Sequence, residues 1–289
     1  MPTVTVFRDS RAILAESLVW DPERRAMLWC DITAGMLHAS GIDDPADGSA
    51  DSVLSFPPPL ASFHRAPSGY VVSLGDRVVL ADADGTEIRE LGRIDHAHPG
   101  MRLNEGKVDP RGRWVTGSMD LTRGAADGAF YVLTEDDARV LVGGVGTANG
   151  LEWSLDGERI YFTDTSAETI YTGTYTEDGE TVDVTTYHHG SMHDGLVIDE
   201  EGHLWSAEYG AGRVRRMDPQ GRVVASIDLP APNVTSVAFG GHDLDTLYVA
   251  SARENLTEDD LAAHPLSGAI FSIDVGVRGR AAAVFGVGR

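Results

Sequence analysis

The sequence lacks several features that would mark particular environments. It contains one cysteine, Cys30, so no disulfide can form within the chain, and its neighbours Leu28-Trp29 indicate a buried strand thiol rather than a nucleophile. The N-terminus has no basic segment followed by an apolar run, and no stretch approaches the roughly 20 apolar residues of a membrane span. We therefore expect a soluble, cytoplasmic protein with no membrane partner.

Basic residues are also scarce. The chain has 23 Lys and Arg against 45 Asp and Glu, which gives a formal net charge of −22. Such a charge disfavours binding to nucleic-acid phosphates and to anionic membrane surfaces, so we expect no nucleic-acid partner. The excess of carboxylates has two interpretations, solubility or weak attraction of cations.

Signatures of several common enzyme classes are absent. No Gly-x-Ser-x-Gly elbow marks an α/β serine hydrolase, and nothing matches a Walker loop or a dinucleotide fingerprint. Asp82-Ala83-Asp84-Gly85 superficially resembles a calcium loop, but its glycine comes two positions too early for an EF-hand. We interpret this segment as a hairpin turn.

What the chain does contain is an internal repeat of apolar strand, turn signal and apolar strand that closes on an aromatic residue. The aromatic anchors are Trp29, Tyr70, Trp114, Tyr161, Trp205 and Tyr248. Their spacing of roughly 41 to 47 residues falls within the range of about 40–50 that is typical of four-stranded propeller blades. Six copies fill the chain.

Each copy has the pattern of β-structure. Short runs such as Thr169–Tyr175 alternate apolar and polar residues, and Asp-Gly or Glu-Gly pairs between runs suit tight hairpins. Helical signal is nearly absent, except at Leu256–Ala263, where Thr257 can cap a short helix inserted in the last blade.

These observations predict an all-β, six-bladed β-propeller with four antiparallel strands per blade. We find no linker that would divide the 289 residues, so we predict a single domain over residues 1–289. The run Val4–Phe7 is predicted to pair with Ala269–Ile273, which would close the ring and protect a strand edge. A core of this size is compatible with a monomer, which we expect.

Four oxygen-bearing side chains recur at nearly one phase of the repeat, each just ahead of a predicted strand. They are Glu16, Asn104, Asn149 and Asp194. In a repeat architecture equal phase means equal height and face, so we expect these side chains to converge at one end of a common axis. Taken singly, Asn149-Gly150 and Asp194-Gly195 are also ordinary turn pairs.

The same segments carry a resemblance to a known family. The sequence is similar, in order from about residue 13 to about 275, to the senescence-marker-protein/gluconolactonase/luciferin-regenerating-enzyme family, the regucalcin-like lactonases. The matching segments are Glu16–Trp20, Arg102–Pro110, Asn149–Ser154, Asp194–Asp199 and Thr235–Gly241.

The resemblance implies a six-bladed propeller with one divalent metal near one end of the central channel. It identifies Glu16, Asn149 and Asp194 with the metal ligands, and it identifies Arg102, Asn104 and Glu105 with the segment that holds the substrate. Two carboxylates and one carboxamide supply hard oxygen donors, which favour Ca²⁺, Mg²⁺ or Mn²⁺ and also permit Fe²⁺ or Zn²⁺. We expect one divalent ion, with Ca²⁺ the first choice.

The sequence departs from the family pattern at three positions. Leu18 stands where the family usually has Pro, and Glu105 stands where Asp is usual. Some members place an acidic substrate-binding residue where this chain has Thr122, and Asp120 is the nearest carboxylate. The sequence therefore does not identify which residue contacts the sugar on that side.

The resulting hypothesis is metal-assisted hydrolysis of a sugar lactone to the aldonic acid. Asp194 is the candidate general base, or it is only a ligand. Alternatives are an organophosphate or aryl-ester hydrolase on the same scaffold, and a non-catalytic calcium-binding propeller.

Histidines add a further candidate role. The loop from Arg93 to Met101, with His96 and His98, is polar and long enough to cover the channel mouth. For these two residues and for His193, beside Asp194, we expect solvent exposure; a role as proton carrier is the alternative.

Overall fold

The structure is a computed structural model that describes residues 2–122, 124–133 and 138–286. The N-terminal strand is β1 (Val4–Arg8), and the first sheet contains β2 (Ala15–Asp21), β3 (Ala26–Asp31), β4 (Met36–Gly41) and β5 (Ser52–Ser55). The second sheet contains β6 (Leu60–Ala66), β7 (Gly69–Leu74), β8 (Arg77–Asp82) and β9 (Glu87–Arg93). The third contains β10 (Met101–Val108), β11 (Trp114–Asp120), β12 (Gly128–Leu133) and β13 (Ala138–Val145).

The remaining sheets follow the same order. The fourth contains β14 (Ala148–Trp153), β15 (Arg159–Asp164), β16 (Thr169–Tyr175) and β17 (Thr181–His189). The fifth contains β18 (His193–Ile198), β19 (Leu204–Glu208), β20 (Arg213–Met217) and β21 (Val223–Asp228). The last contains β22 (Val234–Gly240), β23 (Thr246–Ser251), helix α1 (Glu258–Ala263) as an insertion, and β24 (Ile270–Asp274).

Six four-stranded antiparallel sheets in this order confirm the predicted six-bladed β-propeller. The last sheet has the strand order β1-β24-β23-β22, in which Val6 pairs with Phe271. The N-terminal strand therefore completes the C-terminal sheet, as predicted.

The chain divides into two compact units, each with three of the sheets. One unit comprises residues 2–55 and 194–281; the other comprises the described residues between 56 and 193, with 282–286. Each unit has its own apolar core, around Trp29 and Trp205 in the first and around Trp114 and Trp153 in the second. The single domain expected from the sequence stays a prediction.

The six aromatic anchors all lie on the second strand of their sheets and are at most 5% exposed. Burial of an indole requires a partner for its N–H. Trp29 Nε1 donates to Ser40 Oγ at 3.0 Å, and Trp114 Nε1 donates to Ser73 Oγ at 3.1 Å. The aromatic residue that recurs in the sequence is therefore a buried core residue in each of the six sheets.

The local structures predicted from sequence signals are also present. Gly85, Gly157, Gly179 and Gly202 have φ between 75° and 83° in the hairpin turns. Thr257 caps α1 in a capping box with Asp260. Cys30 is buried on β3. Within the described part of the chain, no helix is both long and apolar enough to cross a membrane.

The first strands of several sheets are interrupted by bulges. The pairing register shifts between Glu16 and Val19 on β2, between Leu103 and Gly106 on β10, and between Asn149 and Leu151 on β14. A bulge bends a strand and redirects the side chains beside it. The interruptions fall at the residues that the sequence had singled out.

Candidate functional site

The four oxygen-bearing residues lie inside strands rather than ahead of them. Glu16, Asn149 and Asp194 are each the second residue of β2, β14 and β18, and Asn104 is the fourth residue of β10. At Asn149 and Asp194 the sequence placed the strands too late because the glycine that follows each residue is typical of a turn, whereas in the structure the strands continue through these positions. All four side chains are buried, between 4% and 8% exposed.

In the second unit, a chain of hydrogen bonds joins the predicted substrate residues to a predicted metal ligand. Arg102 Nη1 donates to Asn104 Oδ1 at 2.6 Å, and Asn104 Nδ2 donates to Asn149 Oδ1 at 3.0 Å. Asn149 Nδ2 donates to Thr165 Oγ1 at 3.0 Å, and that hydroxyl donates to the carbonyl oxygen of His193 at 2.6 Å. Residues of three sheets thus form one connected network.

The direction of this chain is set by Arg102. A guanidinium group has only donors, so the oxygen of the Asn104 amide must face Arg102 and its NH₂ group must face Asn149. Asn149 Oδ1 then accepts one hydrogen bond and keeps its second lone pair, which is what a metal ligand requires. The amide of Asn149 is held in the orientation that a ligand needs.

In the first unit, Glu16 and Asp194 lie on either side of β22. Thr235 Oγ1 donates to the carbonyl oxygen of Ala15, the residue before Glu16, at 2.6 Å. Gly195, the residue after Asp194, packs so tightly that an added Cβ would lie 2.9 Å from the Thr235 carbonyl oxygen. Both acidic residues are therefore next to residues that contact Thr235.

Tyr209 is a buried hydroxyl that feels the charge of both carboxylates. Burial raises the pKa of the Tyr209 hydroxyl, a hydrogen bond from Asn255 opposes this shift, and the carboxylates of Glu254, Asp194 and Glu16 raise the pKa further. Asp194 and Glu16 act on the same hydroxyl, so both lie within electrostatic range of it. Glu16 and Asp194 thus share one electrostatic neighbour, Tyr209, in this unit.

The backbone ahead of the ligand strands is fixed by an aspartate at the end of the second strand. Asp31 accepts from the amides of Ile13 and Leu14 at 2.8 and 3.3 Å, just before Glu16. Asp164 accepts from the amides of residues 146 and 147 at 3.0 and 3.1 Å, just before Asn149. Hydrogen bonds from backbone amides to an aspartate thus position one predicted ligand in each unit.

Glu105 lies apart from the Arg102 network. Its Oε1 accepts from the Gly106 amide at 2.8 Å, and the nearby Lys107 Nζ lies 2.9 Å from Glu152 Oε2. Burial raises the pKa of Glu105, and Lys107 and the Gly106 amide counteract that shift. Its role in holding substrate stays a prediction.

Around Thr122 the structure brings Asp120 and His98 together with Asp127, which sequence reasoning missed. Thr122 donates through its amide to Asp120 Oδ1 at 2.8 Å, and Ala125 donates to Asp120 Oδ2 at 3.2 Å, so Asp120 holds its own loop. His98 Nε2 lies 3.5 Å from Asp120 Oδ1 and 3.8 Å from Asp127 Oδ2. The spacing of these three side chains, with one ligand atom of each within 4.8 Å of the others, is compatible with a metal ion.

The expected exposure of the histidines was wrong in two cases. His193 is fully buried, and His98 is 8% exposed, whereas His96 is partly exposed. His193 is buried because it is the first residue of β18 rather than the last residue of a loop. His98 is buried because the loop of residues 94–100 packs against the loop that follows Asp120. Leu121 N donates to Gly100 O at 2.9 Å between these two loops.

Sequence reasoning also missed Thr165 and Tyr209. Each is the first residue after the second strand of its sheet, β15 and β19 respectively. Both could have been found by comparing the residues that follow the second strand in each copy of the repeat, because these loops lie at the same end of their sheets.

The predicted ligands are of a chemical type that suits a divalent cation, with two of them in the first unit and one in the second. Glu16 and Asp194 supply two carboxylates with a formal charge of −2, and Asn149 supplies an amide oxygen that is fixed by its neighbours. All three are hard oxygen donors.

Comparison with known proteins places the chain among lactonases and regucalcins. Residues 14–253 match the family described as SMP-30/Gluconolactonase/LRE-like region. The chain is 37% identical to a 6-deoxy-6-sulfogluconolactonase of Pseudomonas putida, over 95% of each chain, and 33% identical to a pentonolactonase of Haloferax volcanii, over 96% of each. The crystal structure of regucalcin from Agrobacterium tumefaciens, described as a calcium-binding protein, superposes with a TM-score of 0.90 at 26% identity, covering 98% of this chain and 97% of that one. Since the match extends over most of its length, this protein belongs to the SMP-30/gluconolactonase/LRE-like family.

Proposed function

We propose that this protein is a divalent-metal-dependent hydrolase that opens a sugar lactone to the aldonic acid. Two relatives that match nearly the whole chain are named as lactonases of sugar acids. The observation that carries the proposal is the buried hydrogen-bond network from Arg102 through Asn104 to Asn149. A scaffold without a ligand has no need for an oriented amide and a cation at this position.

Glu16, Asn149 and Asp194 would hold one divalent ion. We propose Ca²⁺, because the donors are all oxygen and a solved relative is described as calcium-binding. When bound, such an ion would supply a Lewis acid beside the lactone and would make water a stronger acid.

The side chains themselves have separate tasks. The guanidinium of Arg102 stabilises negative charge that develops on the carbonyl oxygen of the lactone. Asn104 keeps the Asn149 amide oriented, so no free energy is spent on turning it during the reaction. The carboxylate of Asp194 accepts a proton from the attacking water as general base.

The test is a pH-indicator assay over a panel of five- and six-membered sugar lactones. It is run on purified protein, after chelation, and after adding back Ca²⁺, Zn²⁺, Mn²⁺ or Fe²⁺ separately. We expect hydrolysis that is lost on chelation and restored by at least one ion. Hydrolysis at the buffer rate with every ion would refute the proposal.

Two other functions are separated by the same assay. An organophosphate or aryl-ester hydrolase would cleave those esters in strong preference to sugar lactones. The similarity to a calcium-binding regucalcin favours a non-catalytic calcium-binding role as second candidate, which predicts Ca²⁺ binding without any lactone turnover. The monomeric state and cytoplasmic location stay predictions.

A further inference from the structure

We propose that His98 and Asp127 form a subsite for a hydroxyl group of the substrate, an inference that rests on the proposed hydrolysis of a hydroxylated lactone. His98 lies in the loop between β9 and β10, and Asp127 lies in the loop between β11 and β12. His98 Nε2 is 3.8 Å from Asp127 Oδ2 and 3.5 Å from Asp120 Oδ1.

The ring of His98 is buried and has one nitrogen available for a ligand. Its side chain is only 6% exposed, and Nε2 has no hydrogen-bond partner among the described residues. A buried polar atom without a partner costs free energy, so it points to a group that binds there.

The tautomer of His98 follows from its other ring nitrogen. The Gly100 amide donates to His98 Nδ1 at 3.1 Å, so Nδ1 presents its lone pair and the proton of the neutral ring is on Nε2. A nitrogen that carries a proton is a donor and does not coordinate a metal ion. The spacing of the three side chains suits a cation, but the Gly100 hydrogen bond favours a ligand that accepts from Nε2.

The neighbouring carboxylates narrow the choice of ligand. Asp120 is engaged by the amides of its own loop, while the side chain of Asp127 is 39% exposed and lies at the open side of the cluster. An anion would be repelled by both carboxylates. A hydroxyl group can accept from His98 Nε2 and donate to Asp127 at the same time, and a sugar lactone carries several hydroxyls.

The cluster lies at the same end of the third sheet as the predicted substrate residues. Asp120 pairs with Met101 across β10 and β11, and Arg102 pairs with Met119, the next position along the strand. One residue of a strand spans about 3.4 Å. The hydroxyl subsite and Arg102 therefore lie at the same end of the third sheet.

The two loops of the subsite are locked together. A Cβ on Gly100 would overlap Thr122 Oγ1 and would lie 3.1 Å from His98 Cε1. The subsite thus lies beside Thr122. A buried imidazole donor and Asp127 together supply the polar contacts on this side.

The test compares His98→Asn with His98→Gln. The Asn oxygen can replace Nδ1 as acceptor for the Gly100 amide but leaves no donor at Nε2, whereas the Gln amide can place an N–H near Nε2. We expect KM for the preferred sugar lactone to rise about tenfold or more in His98→Asn and in Asp127→Ala, with kcat nearly unchanged, because the contact binds ground state and transition state alike. His98→Gln should recover most of the loss, and His242→Asn, whose side chain is 89% exposed, serves as the control for loss of a histidine.

The substrate control is a lactone of the same ring size without hydroxyl groups, whose KM should not change in any variant. An unchanged KM for the sugar lactone in His98→Asn and Asp127→Ala would overturn the subsite while leaving the proposed function intact. Absence of lactone hydrolysis in the unaltered protein would instead refute the proposed function. Calorimetric titration with Ca²⁺ and Zn²⁺ provides the remaining test: loss of one bound ion per chain in both variants would overturn the hydroxyl subsite in favour of a metal site.

Discussion

The amide of Asn104 donates to the amide oxygen of Asn149 at 3.0 Å, across 45 residues of sequence. Asn104 also donates to the carbonyl oxygen of Ala148 at 3.0 Å, so its NH₂ group is fully used. Because Arg102 fixes the orientation of Asn104, the position of a predicted metal ligand depends on a residue predicted to hold substrate. Substrate binding and metal binding should therefore be coupled.

Replacing Asn104 by Ala should weaken metal binding about 10- to 100-fold, the usual cost of removing a residue that orients a ligand. Asn149 would lose the donor that fixes its amide. Calorimetric titration with Ca²⁺ measures the affinity, and the urea midpoint reports whether the fold is intact. An unchanged affinity in a folded variant would show that Asn149 does not depend on Asn104.

Replacing Asp194 by Ala should lower lactone hydrolysis by at least about 100-fold, because both the ligand and the candidate general base are removed. Asp243→Ala is the matched control, since that carboxylate is 53% exposed beyond the end of β22. The pH-indicator assay measures both variants. Near-normal turnover in Asp194→Ala with metal still bound would exclude Asp194 from both roles.

Replacing Gly106 by Ala should destabilise the protein by about 1–3 kcal/mol through overpacking. The added methyl group would overlap the indole of the buried Trp114 and lie 2.5 Å from Ser62 Oγ. Gly143→Ala is the control, because its nearest neighbour there would be Val140 Cγ1 at 3.9 Å. Urea unfolding compares the two, and equal free energies of unfolding would contradict the packing argument.

Replacing His64 by Asn should reduce the loss of stability in acid. Burial lowers the pKa of His64 to about 3, and the nearby Lys107 adds to the shift. The unfolded chain takes up a proton near pH 6.5 that the folded protein excludes, so the contribution is complete above pH 6.5 and is lost as the pH falls toward 3. Between these pH values, His64 should lower the free energy of unfolding by about 1.4 kcal/mol for each pH unit of acidification.

The measurement for His64 is the free energy of unfolding in urea at several pH values between 7 and 4. Asn retains an acceptor for the Arg65 amide, which donates to His64 Nδ1 at 2.9 Å. His242→Asn, whose side chain is 89% exposed, is the control for loss of a histidine. Parallel pH profiles for the unaltered protein and His64→Asn would show that His64 is not the acid-sensitive group.

The sequence by itself determined the repeat, and with it the blades. Trp29, Trp114 and Trp205 mark the second strands, Gly157 marks a hairpin turn, and Thr257 starts the short helix. Each of these signals acts between residues that are near each other in the chain. Alternating polarity, positive φ at glycine and helix capping all depend on local geometry, so a linear pattern is enough to reveal them.

The tertiary structure alone decided how the site residues are arranged. Glu16 and Asn149, which were predicted ahead of the strands, lie inside β2 and β14 beside bulges. The buried state of His98 and the placement of Tyr209 depend on neighbouring loops. The orientation of the Asn149 amide is set by Arg102 through Asn104, across two different sheets. Hydrogen-bond geometry and burial depend on groups that are distant in sequence and are brought within a few ångströms only by packing, and no pattern along the chain encodes those distances.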